Sequence, residues 1–331
     1  MEAKKRVSVI GSGSWATAIV KILHENLPQL NWYIREKEII SHLKKYHHNP
    51  QFLSSVQFDI SKLNISNDIN EVVRNSDIIV FVVPSSYTKI WLEPLTESLD
   101  GKFIVSATKG IIPQDNTTVA EFFHKKYSVP FSRLGIVSGP THAEEVALER
   151  LSFLTCSCKE PSKAHEIASL FERHYIKTIT GTDIYGTEYS TVLKNIFAVA
   201  AGVAHGLGYG DNFLAVLISN AQLEIERFLE ETYPSKRKIN TSVYLGDLLV
   251  TCYSQFSRNR TFGTMIGKGY SVKSAMLEMN MVAEGYNATA CIKAINSKHH
   301  VKMPITDAVY NILYENISPA IEMKLLVSKL K

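Results

Sequence analysis

A single lysine stands in a long stretch of the second half of the chain that is otherwise free of Asp, Glu, Lys and Arg. Lys194 alone carries charge between Glu188 and Asp211, within the apolar run TVLKNIFAV at 191–199. A buried ammonium is unfavourable unless paired, and burial favours the neutral amine, which suits proton transfer. The position therefore predicts a general acid/base, the alternative being a lysine whose stem carries its charge to solvent.

Two further segments place polar groups where such a lysine could use them. Asp247 is the lone charge of YLGDLLVTC at 244–252, so it could pair with a buried lysine or hold a substrate hydroxyl. Ser257, Arg258, Asn259 and Arg260 follow, and a helix there would point the two arginines away from each other. One arginine would then face the site while the other is solvated. Arginine beside Asn and Ser suits a phosphate monoester, the alternative being an ordinary solvated face.

The segment GSGSWA at 11–16 follows a β-branched run and opens a helical pattern. This is the dinucleotide fingerprint in which Ala replaces the third glycine. Gly11 permits the tight turn and Gly13 lets backbone N–H groups approach a pyrophosphate at the helix N-terminus. A purely structural turn is the alternative.

The end of the next strand bears on the choice of cofactor. Arg35 can hold the 2′-phosphate of NADP, whereas Glu36 can serve the ribose hydroxyl of NAD. Arg35 favours the use of NADP, and the sequence predicts NAD or NADP as the cofactor.

Other candidate residues also follow predicted strands, where open α/β sheets bind ligands. Lys109 precedes a glycine, and Gly139 leaves room for a ligand. Thr141 and Glu144 have the spacing of a capping box, so a helix is predicted to begin at Thr141. A solvated lysine and a plain helix cap are the alternatives.

The pattern of the whole chain predicts that these residues belong to an α/β domain followed by a helical domain. Continuous apolar runs separated by helices indicate a doubly wound, Rossmann-like parallel sheet over residues 1–183. From 184 to 331 the periodicity is mostly helical, which predicts an all-helical substrate-binding and catalytic domain. The strands are predicted at 6–10, 31–34, 78–83, 102–106, 134–137 and 151–158.

Composition narrows the class of protein. The 331 residues carry a net charge of +4, too mild for a nucleic-acid-binding surface. The four cysteines are scattered and the adjacent histidine pairs lack ligand spacing, so neither a disulfide scaffold nor a metal site is predicted. Neither a signal peptide nor a membrane insertion is expected, and the predicted location is the cytoplasm.

Taken together, the motifs resemble those of the bacterial-type NAD(P)-dependent glycerol-3-phosphate dehydrogenases. The resemblance runs over nearly the whole chain. It rests on an ordered set of segments: GSGSWATA (11–18), VPS (83–85), ATKG (107–110), SGPTHAEEV (138–146), LKN (193–195), GLGYGDN (206–212), GDLLVTC (246–252), SRNRTFG (257–263), VAEGYNAT (282–289) and MPIT (303–306).

The resemblance implies interconversion of dihydroxyacetone phosphate and sn-glycerol 3-phosphate with NAD or NADP, supplying glycerol 3-phosphate for phospholipid synthesis. Lys194 would be the general acid/base, Lys109 would polarise the carbonyl, and Asp247 would orient Lys194. These three residues would also contact substrate. The other implied substrate contacts are Gly139, Thr141, Ser257, Arg258 and Asn259. The implied dinucleotide contacts are Gly11, Gly13, Ser14, Trp15, Arg35, Lys109, Ala143, Arg258, Val282 and Glu284.

Two other functions remain open from the sequence. A related hydroxyacid dehydrogenase would use a carboxylate in place of the phosphate. A non-catalytic NAD(P) redox sensor would need Gly11, Gly13 and Arg35 but not Lys194 or Asp247. The resemblance also implies a homodimer, and it leaves the preference between NAD and NADP open because the family varies at Trp15 and Arg35.

Overall fold

The computed structural model describes residues 5–279 and 283–331, and these form two compact units. The first unit comprises the residues up to Thr108 together with Val119–Ile184. The second comprises Lys109–Thr118 and Tyr185–Lys331. The sequence prediction kept 109–118 in the first domain, whereas the structure moves this segment, and Lys109 with it, into the helical unit.

The first unit is built on an eight-stranded sheet, as the predicted Rossmann-like class requires. The strand order is β3-β2-β1-β4-β5-β6-β7-β8, and the order reverses between β1 and β4. All neighbouring pairs are parallel except β6 and β7. The strands are β1 (Val7–Ile10), β2 (Leu30–Tyr33), β3 (Leu63–Ser66), β4 (Ile78–Phe81), β5 (Phe103–Ser106), β6 (Leu134–Ser138), β7 (Ser152–Cys158) and β8 (Ile176–Gly181).

Seven helices accompany these strands in the described part of the first unit. They are α1 (Ser14–Asn26), α2 (Lys37–Tyr46), α3 (Ile69–Arg74), α4 (Thr88–Leu92), α5 (Val119–Tyr127), α6 (Ala143–Ala147) and α7 (Pro161–Phe171). The helical pattern predicted to open at the glycine turn is confirmed by α1.

A nearly buried lysine ties α1 to the segments that precede β7 and β8. The Lys21 ammonium donates to Glu25 at 2.5 Å, to Glu149 at 2.9 Å and to the Tyr175 hydroxyl at 3.0 Å. These partners come from α1 itself, from the segment after α6 and from the residue just before β8. A charge that is paired and hydrogen-bonded in this way tolerates burial, so the network fixes the helix that follows the Gly11–Gly13 turn.

The second unit is helical, as predicted. Its core is one apolar cluster around α8, with side chains such as Val192, Ile196 and Phe197 fully buried. The helices are α8 (Ile184–Gly206), α9 (Asp211–Thr232), α10 (Asp247–Tyr253), α11 (Arg258–Gly267), α12 (Val272–Glu278), α13 (Glu284–Asn296), α14 (Pro304–Leu313) and α15 (Pro319–Val327).

Glycines let α8 and α11 pack backbone against backbone. A Cβ added to Gly263 would lie 2.1 Å from the Val199 carbonyl oxygen, and one on Gly202 would lie 2.1 Å from the Arg260 oxygen. Gly206 and Gly267 repeat the contact one turn further along. Because α8 carries Lys194 and α11 begins at Arg258, this close approach sets the distance between the two candidate residues.

Replacing Gly263 with alanine is expected to force α11 away from α8. The free energy of unfolding should fall by about 2 kcal/mol or more, because a backbone atom occupies the space that the methyl group needs. Chemical denaturation measures this directly. Gly210→Ala is the matched control: no described atom lies within 4 Å of its added Cβ, so a change of about 0.5 kcal/mol is expected at this helix cap. Equal losses in the two variants would contradict the packing argument.

Candidate functional site

The turn after β1 is fixed by its first glycine. Gly11 has φ +140°, and a Cβ there would lie 2.3 Å from the Val82 carbonyl oxygen. The buried Trp32 indole donates to the Gly11 oxygen at 2.7 Å, which holds the turn against β2. Only glycine fits this position, as the sequence predicted.

The second glycine leaves a cradle at the start of α1. Gly13 caps the helix, and no described atom lies within 4 Å of a Cβ built on it. Ser14 and Trp15 open the helix, and its first turn carries no acidic residue. The N–H groups of a helix's first turn and the positive end of the helix dipole suit a pyrophosphate. These residues therefore fit a dinucleotide, with the Trp15 indole held by the Ala107 oxygen at 3.1 Å.

Replacing Gly13 with valine is expected to fill this cradle while leaving the fold intact. The backbone there has φ −73° and ψ −177°, which any L-residue adopts, so the loss of stability should stay below about 1 kcal/mol. The Kd for NADH should rise roughly 30- to 100-fold, since about 2–3 kcal/mol of hydrogen bonding to the pyrophosphate is lost. Thermal unfolding and titration calorimetry give the two values, and unchanged NADH affinity would contradict the assignment.

The end of β2 carries both residues that bear on cofactor choice. Arg35 is exposed and Glu36 is half-buried. The Ser12 hydroxyl donates to Glu36 Oε2 at 3.0 Å, so the carboxylate lies beside the glycine turn.

The segment after β6 differs from its prediction. Gly139 has φ +143°, and its Cβ would lie 2.5 Å from the Phe153 oxygen, so glycine is required there. The predicted capping box is wrong: α6 begins at Ala143 with His142 as its cap. The Thr141 hydroxyl instead donates back to the Gly139 carbonyl at 3.1 Å, because the glycine turns the chain toward it.

Lys194 and Asp247 form a buried ion pair in the helical unit. Lys194 Nζ lies 2.5 Å from Asp247 Oδ1, and the side chains are only 4% and 1% exposed. The alternative in which the ammonium reaches solvent is therefore wrong. A single π-helical turn over Ser242–Gly246 directly precedes Asp247, and such irregular turns often occur at functional sites.

Two side chains that the sequence analysis assigned no role support this pair. Asn195 is buried, and its amide donates to the Lys109 carbonyl at 2.8 Å, which ties the Lys109 segment to the residue after Lys194. The Thr251 hydroxyl donates to the Asp247 carbonyl at 2.6 Å within α10. The adjacency of Asn195 to Lys194 in the LKN motif was the available signal.

The charges of Lys194 and Asp247 also act on a third residue, Lys109. Burial lowers the pKa of Lys109 to about 7. The positive charge of Lys194 adds to the lowering, Asp247 opposes it, and Arg258 lowers it further. A lysine poised between its two protonation states near neutral pH can change charge when a ligand binds.

The start of α11 is suited to an anion. The Ser257 hydroxyl caps the helix by accepting from the Arg260 N–H at 3.3 Å, and its first turn has no acidic residue. Asn259 Oδ1 accepts from the Gly285 N–H at 2.9 Å, so its amino group is the end that can donate to a ligand. Arg258 and Arg260 are both half-buried, which corrects the expectation that one of them is solvated.

The structure describes two of the three remaining cofactor candidates. Ala143 is buried at the start of α6, and Glu284 begins α13. Val282 lies outside the described residues. Across the described chain, no helix has the length and apolarity needed to cross a membrane, and no three metal-binding side chains are grouped to hold an ion.

A Rossmann-like unit with a pyrophosphate cradle and a helical unit with a buried amine–carboxylate pair define the class of two-domain nicotinamide-dependent dehydrogenases. Comparison with known proteins narrows the class. Residues 6–164 match the N-terminal model of NAD-dependent glycerol-3-phosphate dehydrogenase, and residues 183–324 match its C-terminal model. The chain belongs to this family of NAD(P)-dependent enzymes.

Individual relatives agree over nearly the full length. The glycerol-3-phosphate dehydrogenase [NAD(P)+] of Streptococcus sanguinis is 33% identical, with 95% of this chain and 92% of that protein covered. The enzyme of the same name from Bacillus subtilis is 33% identical, with 96% and 93% covered. The crystal structure of glycerol-3-phosphate dehydrogenase from Coxiella burnetii is 25% identical with a TM-score of 0.89, covering 98% of this chain and 99% of that one.

Proposed function

We propose that this protein interconverts dihydroxyacetone phosphate and sn-glycerol 3-phosphate with NAD(H) or NADP(H). The observation that carries the proposal is the buried Lys194–Asp247 pair, with Lys109 and Arg258 as further cations of the same unit. A proton-transfer amine and positive charge for a phosphate are what this reaction requires of the protein. The family membership supports the same substrate.

Lys194 acts on the proton that accompanies hydride transfer. A nicotinamide dinucleotide held at the Gly11–Gly13 turn would supply the hydride in reduction and accept it in oxidation. Lys194 Nζ donates a proton to the ketone oxygen in reduction and takes it from the hydroxyl in oxidation. Asp247 holds the ammonium in place and stabilises its charge, while Lys109 offers positive charge to the developing alkoxide.

The phosphate is bound at the start of α11. Arg258 forms charge-assisted hydrogen bonds, Asn259 donates its amide N–H, and Ser257 donates its hydroxyl hydrogen while its oxygen caps the helix. Gly139 and Thr141 contribute further substrate contacts. Asp247 also accepts a substrate hydroxyl.

A substrate panel tests this function against its two rivals. Purified protein with NADH or NADPH is given dihydroxyacetone phosphate, unphosphorylated dihydroxyacetone or a 2-oxo acid, and loss of reduced cofactor is followed. We expect turnover with the phosphate ester and little with the others. Preference for the oxo acid would favour a hydroxyacid dehydrogenase, and cofactor binding without any turnover would favour a redox sensor.

Substrate binding should take up a proton above neutral pH. Before substrate binds, Lys109, with its pKa of about 7, is largely neutral above that pH, and a bound anion favours the ammonium. The affinity for glycerol 3-phosphate should therefore fall as pH rises above about 7. Calorimetry in buffers of different ionisation enthalpy counts the protons. Lys109→Arg, which stays charged, should lose this uptake, and uptake equal to that of the wild type would contradict the role of Lys109.

The assembly and location are proposed on separate grounds. We propose a homodimer in the cytoplasm, whose product serves phospholipid synthesis. All four cysteines are free and buried, which suits a reducing compartment. Light scattering on the purified protein measures the oligomeric state, and a monomer at working concentrations would contradict the dimer.

A further inference from the structure

We propose that His42 and His48 together bind a divalent transition-metal ion such as Zn²⁺ between their Nε2 atoms. The two nitrogens lie 3.4 Å apart in the first unit. The site is separate from the residues assigned to the proposed dehydrogenase reaction. Adjacency alone predicts no metal site for His47 and His48, and the structure instead brings His48 to His42.

The end of α2 brings the two imidazoles together. On a continuous helix, residues six apart point in different directions. Here α2 ends one residue before His47, which caps it in the left-handed conformation with φ 66°. The His47 N–H donates to the Leu43 carbonyl at 2.9 Å, and its own carbonyl accepts from the Phe58 N–H at 2.8 Å. This fixed turn carries His48 back toward the helix, where its ring lies 4.7 Å from that of His42 between centroids.

The separation of the two nitrogens fits a shared metal ion better than a direct hydrogen bond. A hydrogen bond donated by an N–H usually spans about 2.7–3.2 Å. Zn²⁺ binds imidazole nitrogen at about 2.0–2.1 Å in tetrahedral geometry, which places two such ligands about 3.3–3.4 Å apart. The observed 3.4 Å therefore matches two ligands of one tetrahedral ion.

Both rings are oriented by their surroundings. His48 Nδ1 lies 3.3 Å from the Asn49 carbonyl oxygen. A carbonyl only accepts, so Nδ1 carries the proton and Nε2 keeps its lone pair, as in most metal-binding histidines. The His42 ring packs against Tyr46 at 4.6 Å between centroids, which limits its rotation. Both histidines are half-buried, so an ion can reach them from solvent.

The charges and ligands around the pair set a modest affinity. Lys44 is exposed and Lys45 Nζ lies over the Tyr46 ring, so two positive charges oppose a cation. The negative end of the α2 dipole favours it. The described residues group no third metal-binding side chain with the pair, so water completes the coordination. With half the ligands of a structural zinc site, the expected Kd for Zn²⁺ is about 1–100 µM.

Metal binding would stabilise the segment that supports the glycine turn. Asn49 follows His48 and is fully buried, and its amide donates to the Ser12 carbonyl and the Thr17 hydroxyl, each at 3.0 Å. An ion that binds only the folded arrangement raises the temperature of unfolding. At a tenfold excess of Zn²⁺ over its Kd, the expected rise is about 3 °C.

The test titrates metal-free protein without a histidine tag with zinc chloride by calorimetry, in the absence of cofactor and substrate. The wild type should bind one equivalent, and its unfolding temperature should rise. His42→Gln and His48→Gln should each weaken the affinity by about tenfold or more and lose that rise. His47→Asn is the matched control. It removes the exposed imidazole between them, and asparagine accepts the left-handed backbone, so the wild-type Kd should remain.

Absence of zinc binding in the wild type would overturn the proposal. Wild-type affinity in both His42→Gln and His48→Gln would also overturn it, because the ion would then bind at other side chains. An equal loss in His47→Asn would contradict the pairing of His42 with His48. Thermal unfolding without zinc shows whether each variant is folded, and the outcome does not depend on the dehydrogenase activity.

Discussion

Replacing Lys194 with arginine is expected to lower kcat for reduction of dihydroxyacetone phosphate by about 10²- to 10⁴-fold, the usual contribution of a general acid/base. The guanidinium stays protonated at working pH, so it can pair with Asp247 but cannot exchange a proton with the substrate. Initial rates with saturating NADH measure the loss. The cradle for the dinucleotide is untouched, so the Kd for NADH should stay within about twofold.

A variant that fails to fold would also lose activity. The arginine variant is therefore compared with Lys194→Met. The methionine variant removes the charge and leaves Asp247 buried without this partner, which should reduce stability as well as rate. The arginine variant should unfold close to the wild type. Near-wild-type kcat in a folded arginine variant would contradict the acid/base role.

Replacing Asp247 with alanine is expected to lower the free energy of unfolding by about 3–5 kcal/mol, because a charge at a nearly inaccessible position loses its partner. Lys194 is only 4% exposed on its side chain and lies 2.5 Å from the carboxylate. Urea denaturation gives the difference as a lower midpoint at unchanged slope.

The double variant Lys194→Met with Asp247→Leu separates stability from catalysis. Apolar replacement of both partners avoids the unpaired charge, so most of the stability should return. The enzyme should nevertheless stay inactive. A midpoint for Asp247→Ala equal to that of the wild type would mean that the pair is not buried as the structure has it.

Much of the α/β unit is readable from sequence because its central strands are buried on both faces. β1, β4 and β5 are short apolar runs that no exposed element would carry. β3 and β8 escaped prediction because they lie at the two ends of the sheet, where polar residues such as Asn64 and Lys177 alternate with apolar ones. The antiparallel direction of β7 depends on the path of the chain, which local periodicity does not encode.

The paired lysine was predictable because a lone charge in an apolar helix demands a partner. Lys194 and Asp247 are each the only charge of their segments, so few other pairings were available. The Thr141 capping box failed because the same hydroxyl had a second acceptor, the Gly139 carbonyl, which becomes available only once the glycine adopts positive φ.

Other features depend on pairs of distant residues. Gly202 and Gly263 are unremarkable one at a time, and their role follows only from the packing of α8 on α11. The transfer of Lys109 to the helical unit is similar, since its tie to Asn195 spans 86 positions. The sequence favoured Arg35 as the cofactor contact and left Glu36 as the alternative, and it could not predict that Ser12 donates to Glu36.

Chemical rescue of Lys194→Ala tests most directly whether an amine at this position moves the proton. The variant is assayed with NADH and dihydroxyacetone phosphate while small primary amines or guanidinium ion are added. Amines should restore turnover at rates that follow their basicity, whereas guanidinium should not, because it carries the charge without releasing a proton. Equal rescue by both cations, or an alanine variant as fast as the wild type, would contradict the account.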